Sequence, residues 1–77
     1  MITLVGTPHF STAFALATNS SFIEYDSTNI TFSGAATGQR FAVNNLSGIY
    51  VPGGSLTFLP GDVAGVADPT SYGVYST

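Results

Sequence analysis

The residues able to carry chemistry are few and scattered along this 77-residue chain. His9 is the single histidine, and as a general base it would need a nucleophile or an orienting carboxylate within hydrogen-bond reach. It follows Thr7-Pro8, a pair typical of a turn, and no carboxylate lies near it in the sequence. The sequence therefore predicts that the protein is not an enzyme.

The carboxylates also fail to predict a metal site. Glu24 and Asp26 would share one face of a strand, but Ca²⁺ needs about six to eight oxygen ligands, and no calcium-loop pattern follows. The chain has no cysteine, which excludes thiolate zinc sites and disulfides. We expect neither a metal nor a cofactor.

Arg40 is the only arginine or lysine, in a chain whose formal net charge is −3. One arginine cannot supply the basic field that nucleic-acid binding requires. The preceding loop, 34–39, lacks the glycine and lysine spacing of a phosphate-binding loop. Arg40 is better suited to anchor a carboxylate across a protein interface, because a guanidinium can bind one in a bidentate manner.

The whole chain carries very little charge. Charged residues make up 6% of it, against about 25% in an average domain, and lysine is absent. No apolar run approaches the roughly 18 residues of a membrane span, and 44% hydrophobic residues is too apolar for disorder. Monomeric β proteins usually protect strand edges with lysine or other charges. We expect edges that close into a barrel or that other subunits cover, as in a homo-oligomer.

Short alternating segments dominate, and helix signals are nearly absent. Turn residues recur about every seven to ten positions, a spacing typical of a small antiparallel β-sandwich or barrel. The clearest segment is 52–61, where two Pro-Gly pairs enclose alternating apolar and hydroxyl residues. We predict an all-β fold of about seven short strands. They fall at 2–5, 11–17, 22–25, 30–33, 40–44 and 46–51, and in the bracketed stretch.

The C-terminal segment 62–77 differs from the β core that precedes it at 1–61, although the two form a single domain. Three interruptions, at Gly65, Pro69 and Gly73, predict an extended arm instead of a long regular element. Its valines and tyrosines carry too much apolar surface to remain in water, so we expect it to dock on the domain or on a partner. The predicted interface residues are Arg40, Tyr50, Phe58, Val63, Val66, Tyr72, Val74 and Tyr75.

Three Asn-x-Ser/Thr triplets, at 19–21, 29–31 and 45–47, would be glycan acceptors in a secreted protein. The N-terminus shows no basic and apolar signal-peptide pattern. We therefore interpret the triplets as a product of a composition rich in serine and threonine.

Residues 53–66, from Gly53-Gly54-Ser55-Leu56 to Gly65-Val66, resemble segments near the C-terminus of small structural proteins of tailed bacteriophages. The short, nearly uncharged chain also looks like capsid decoration (cement) proteins or fibre-base modules. The resemblance implies a virion structural protein on the capsid surface, often a trimer, which stabilises the shell by clamping neighbouring coat subunits. Its partners would be the major capsid protein and copies of itself, and it would be synthesised in the host cytoplasm.

Two alternatives stay open beside the capsid interpretation. One is a small carbohydrate-binding β module, because exposed aromatic rings can stack on sugars. The chain has no tryptophan and few carboxylates, which such sites usually use. The other is a module at the base of a tail fibre.

Overall fold

The computed structural model describes all 77 residues, and every strand pair in it is parallel. The strands are two or three residues long. They are β1 (Ile2–Thr3), β2 (His9–Phe10), β3 (Ala15–Ala17), β4 (Phe22–Glu24), β5 (Phe32–Ser33), β6 (Thr37–Gly38), β7 (Phe41–Val43), β8 (Gly48–Tyr50), β9 (Val66–Ala67) and β10 (Val74–Ser76). The one helical segment is a 3₁₀ turn at Pro69–Ser71, and no helix has the length and apolarity to cross a membrane.

Each strand pairs with the strand that occupies the same place one winding later. The first four strands pair in order with the next four: β1 with β5, β2 with β6, β3 with β7 and β4 with β8. The last two then add to the other side of β7 and β8. Partners lie 24 to 30 residues apart along the chain, and 26 apart in three of the six strand pairs. The chain thus winds into three stacked coils, at about 2–25, 32–51 and 58–77, which is the architecture of a parallel β-solenoid.

The predicted antiparallel sandwich or barrel is therefore wrong. The turn signals are real, but they mark corners where a coil changes direction, and the partner strand arrives only after a complete winding. In a hairpin, strands that follow each other in the sequence pair with each other. Parallel strands cannot pair in this way, because they need a long connection between them.

Two further details of the predicted fold need correction. The stretch 52–61, predicted as a bracketed strand, forms turns and contains no strand. The segment 62–77 is not an extended arm, because β9 and β10 join the sheets of the second coil and complete a third. Its glycines and proline form the corners of that coil.

The core lies mainly in the middle coil, where β7 and β8 have a partner strand on both sides. Only 11 of 77 residues are buried, so the two outer coils contribute little to the interior. The buried apolar residues are Ala15, Ala17, Phe41, Val43, Ile49, Val51 and Leu59. Phe41 fills the centre, with its ring stacked on that of Tyr75 at 4.0 Å between centroids. Gly65 lies against the same ring, where a Cβ atom would overlap it, so the third coil needs glycine at this point.

A chain of aromatic rings connects the coils at the other end of the interior. Phe14 of the first coil meets Phe32 of the second edge to face at 5.4 Å, and Phe32 meets Phe58 of the third at the same distance. Such edge-to-face pairs contribute roughly 0.5–1.5 kcal/mol each beyond their buried area. Phe58 therefore keeps its place in the stack although no strand forms around it.

The corner between β3 and β4 repeats in each coil. Asn19 and Asn45 occupy equivalent positions, and the side-chain amide of Asn45 donates to the Asn19 side-chain oxygen at 3.3 Å. The next residues, Ser20, Leu46 and Tyr72, are 26 apart and share a left-handed backbone with φ of 62°, 57° and 61°. Non-glycine residues seldom adopt this conformation. Backbone bonds between coils hold it here, since Ser20 N donates to Asn45 O and Leu46 N to Ser71 O.

Candidate binding surfaces

Both ends of the coil stack expose strand edges. In the sheet β4-β8-β10 the outer strands β4 and β10 have a partner on one side only, and in β3-β7-β9 the same holds for β3 and β9. Alternate N–H and C=O groups of such strands point toward the open side and can pair with another strand. No lysine protects these edges, because the chain has none. The stack can therefore accept a further coil at either end.

The outer face of the sheet β4-β8-β10 is apolar at its centre. Phe22 and Val74 are exposed on either side of Gly48 in one register column. A Cβ atom at Gly48 would lie 3.2 Å from the Phe22 ring, so this ring covers the middle strand. Tyr50 stands in the next outward column, between Glu24 and Ser76. This face combines ring surface with one carboxylate.

Arg40 lies in a pocket of about 310 Å³ between the second and third coils. Its Nη1 donates to two backbone carbonyls, Leu59 O at 2.6 Å and Thr57 O at 3.1 Å, and so fixes the turn that replaces the predicted strand. The walls are Leu4, Phe32, Gly34, Ala35, Ala36, Thr57, Phe58, Leu59, Pro60 and Gly61. The pocket therefore joins a cation to two aromatic rings and a loop of small residues.

Several donors of residues that line this pocket have no partner within the protein. Nε and Nη2 of Arg40 donate to no protein acceptor, and neither is among the buried unpaired atoms, so solvent reaches them. The amide N–H groups of Gly34, Ala35 and Ala36 also find no protein acceptor. Arg40 acts on its surroundings: burial raises the pKa of Tyr75, and the positive charge of Arg40 partly opposes that shift.

The predicted interface residues fall into four groups in the structure. Arg40 and Phe58 meet in the pocket, whereas Tyr50 and Val74 share the outer face of β4-β8-β10. Tyr75 is turned inward onto Phe41, and its hydroxyl donates to Ser55 O at 2.7 Å. The other three are exposed side chains outside the pocket: Val63, Val66 and Tyr72.

The carboxylates serve turns and do not converge. Asp26 and Asp68 each accept bonds from the residues that follow, and these bonds, foremost from the hydroxyls of Thr28 and Thr70, hold the pKa of each carboxyl below its usual value. Asp62 accepts from Gly38 N at 2.8 Å. His9 pairs only with the Thr37 hydroxyl, at 2.8 Å. No three histidine, aspartate or glutamate side chains come together as a metal site.

Sequence reasoning missed the residues that build the corners and edges. The pattern Asn-x-Ser-x-Ile occurs at 19–23 and again at 45–49, with the 26-residue separation of the coils. Two of the three glycan-like triplets lie within this repeat. The serines of this repeat have a structural role, since Ser21 N donates to the Ser47 hydroxyl at 3.0 Å. A search for internal periods of 20–50 residues would have detected this signal.

No protein-family model, no curated protein and no solved structure matches this chain.

Proposed function

We propose that this protein is a structural part of a bacteriophage particle that works by non-covalent assembly and not by catalysis. The observation that carries the proposal is the pair of open coil ends, whose strand edges lack partners and lysine. Exposed edges of this kind favour pairing with further strands. The virion setting rests on the resemblance of residues 53–66 to small phage structural proteins.

The coil geometry favours a fibre module over a clamp on the shell. Coils stack along one axis, and the end formed by β3 and β4 differs from the end formed by β9 and β10. Joining unlike ends is a heterologous contact, which generates linear stacks if it does not close. A trimer would require a different contact, through the outer faces of the sheets. Copies of the chain are the partner proposed for the open ends.

The proposed contact has a defined register. A copy that continues the stack would place its β4 on β10, so that its Glu24 falls in the column of Ser76. Its Phe22 would then fall beside Val74, and its Ala17 beside Ala67 in the neighbouring sheet. Both residues of the last pair are alanines, so their side chains fit together without a clash. The two three-stranded sheets therefore continue across the contact in register.

Two opposite substitutions at one residue test this contact. Ser76→Glu places a carboxylate beside Glu24 of the neighbouring copy, and Ser76→Lys places an ammonium there. Charge pairs directly opposite each other in sheets change the free energy by roughly 0.2–1 kcal/mol. Sedimentation velocity over a concentration series should show weaker association for Ser76→Glu than for the unchanged chain, and equal or stronger association for Ser76→Lys. The difference should shrink in high salt.

Stacks should also be visible directly. Each copy contributes three coils, so electron micrographs should show an axial repeat of about 14 Å from three strand spacings of about 4.8 Å. A chain that stays monomeric at every concentration, or an equal response to both charges at position 76, would contradict the proposed assembly. The virion setting is tested separately, by identifying peptides of this chain in purified phage particles.

A further inference from the structure

We propose that the pocket around Arg40 binds a small carboxylate carried on a six-membered ring. Uronic acids and aromatic carboxylic acids share this chemistry. The site is independent of the proposed contact between copies, because it includes no residue of β3, β4, β9 or β10.

The first argument is that Arg40 carries an uncompensated charge. Both of its acceptors are neutral backbone carbonyls. Asp26 and Asp68 bond to turn residues, and Asp62 accepts from a backbone N–H of β6. Glu24, the fourth side-chain carboxylate, accepts no hydrogen bond. A half-buried guanidinium with neutral partners attracts an anion more strongly than a fully solvated one, because less water screens it.

The second argument is geometric. A guanidinium has a planar fork of donors that matches the two oxygens of a carboxylate. Nη1 of Arg40 is held by Leu59 O and Thr57 O, which fixes the plane of the group. The edge formed by Nε and Nη2 is free, and these two N–H groups can bind a carboxylate side-on. The group is thus oriented before a ligand arrives.

The third argument concerns the pocket walls. Phe32 and Phe58 offer apolar ring surface, and Leu4 and Pro60 extend it. The N–H groups of the 34–36 loop offer further hydrogen bonds to anionic or hydroxyl oxygens. The cavity of about 310 Å³ is near the lower limit of the roughly 300–1,000 Å³ typical of small-molecule sites. This combination fits a single ring with one carboxylate.

Nuclear magnetic resonance of the uniformly ¹⁵N-labelled full chain tests the site with defined probes. Galacturonate and benzoate represent the two sources of the ligand chemistry, galactose lacks the charge, and acetate lacks the ring. We expect galacturonate or benzoate to shift the amide signals of 34–36 and the Arg40 Nε–H signal, with a dissociation constant on the order of 1 mM for so small a ligand. Galactose and acetate should shift them at least fivefold less at equal concentration.

A pocket variant separates binding from folding. Ala35 is exposed and lines the pocket, so Ala35→Asp adds a repelling charge without removing the bonds of Arg40 to the third coil. Affinity should fall at least fivefold, and the matched variant Ala35→Asn, which adds similar volume without the charge, should weaken binding less. Arg40→Lys should also weaken binding, because it keeps the charge and loses the fork.

The outcomes divide clearly. Shifts from galacturonate alone, or from benzoate alone, support the site and identify the source of its ligand. Equal shifts from galactose would overturn the role of the charge, and equal shifts from acetate would overturn the role of the ring. An absence of shifts at about 50 mM of every acid, far above the expected dissociation constant, would overturn the site itself.

Discussion

The contact between Gly65 and Phe41 offers a quantitative test of how the third coil packs on the second. A Cβ atom at position 65 would overlap three carbons of the Phe41 ring. The ring cannot easily retreat, since Phe41 is only 3% exposed and is stacked on Tyr75 with an interplanar angle of 16°. Gly65→Ala should therefore destabilise the fold, although alanine restricts the unfolded chain more than glycine does.

The size of the effect follows from two opposing contributions. Overpacking a well-packed core costs about 1–3 kcal/mol. The reduced entropy of the unfolded chain returns about 0.4–1 kcal/mol. We expect a net loss of about 1–2 kcal/mol in the free energy of unfolding. In a domain of this size that lowers Tm by roughly 4–16 °C, at about 4–8 °C for each kcal/mol.

A double-mutant cycle with Phe41→Leu identifies the cause. Leucine lacks the ring that the new methyl group would meet, so Gly65→Ala should be nearly neutral in the Phe41→Leu background, with a coupling energy of about 1–2 kcal/mol. Urea unfolding followed by circular dichroism measures all four proteins. Gly48→Ala is the control, because position 48 has no positive φ and the tightest contact of its Cβ would be the exposed Phe22 ring, at 3.2 Å, which is free to shift. Additivity of Gly65→Ala and Phe41→Leu within about 0.5 kcal/mol would refute the packing described here.

Three other predictions follow from the coils and their turns. Asp68→Ala removes the cap of the 3₁₀ turn and should lower Tm in circular dichroism. Hydrogen bonds lower the pKa of Asp68 in the folded protein. The stabilisation by this carboxylate is therefore complete above the ordinary pKa of 3.8 and is lost as the pH falls below that value. The Asp68→Ala variant should accordingly lose less stability in acid than the unchanged chain does. Burial raises the pKa of Tyr75, so the stability that this side chain contributes should be complete below pH 10.0 and decline as the pH rises further. The ionised side chain is unfavourable in its buried site and can no longer donate to Ser55 O. Tyr75→Phe should therefore reduce this decline in urea titrations from pH 8 to 11. The pair Glu24→Cys and Tyr50→Cys, which are register partners, should form a disulfide within one chain, detectable by mass spectrometry. Glu24→Cys with Ser76→Cys, two strands apart in one copy, should form a disulfide only between stacked copies.

The strand content was predictable from local patterns, but the pairing of strands was not. Alternation around Phe41–Val43 and the β-forming residues of Phe22–Glu24 locate observed strands correctly. Alternation reports which side chains share a face and carries no information on whether the neighbouring strand runs parallel or antiparallel. Turn spacing decides the direction of pairing only if each turn ends a hairpin.

The stretch 52–61 shows how a strong local signal can mislead. Pro52-Gly53 does form a turn, the chain bends at Pro60, and Gly61 has a positive φ of 139°. The alternating residues between them do not form a strand, because Arg40 Nη1 takes the carbonyls of Thr57 and Leu59. Such long-range capture of backbone groups by a side chain cannot be read from the segment itself.

The pocket was predictable only in part. The isolation of Arg40 in a nearly uncharged chain pointed to a carboxylate partner. The sequence did not show that Phe32 and Phe58, 26 residues apart, would stand beside it. The two rings are adjacent because their separation equals one coil, and the same 26-residue separation relates the two Asn-x-Ser-x-Ile patterns.

The most direct test of the parallel coil stack is the pattern of long-range nuclear Overhauser effects in the ¹⁵N- and ¹³C-labelled chain. Contacts between parallel strands keep a constant difference between residue numbers, whereas contacts between antiparallel strands keep a constant sum. We expect cross-peaks linking Ile23 to Ile49 and Ile49 to Tyr75, and others linking Ala17 to Val43, all at a difference of 26. Cross-peaks that follow a constant sum through the same strands would contradict the solenoid and the assembly proposed from its open ends.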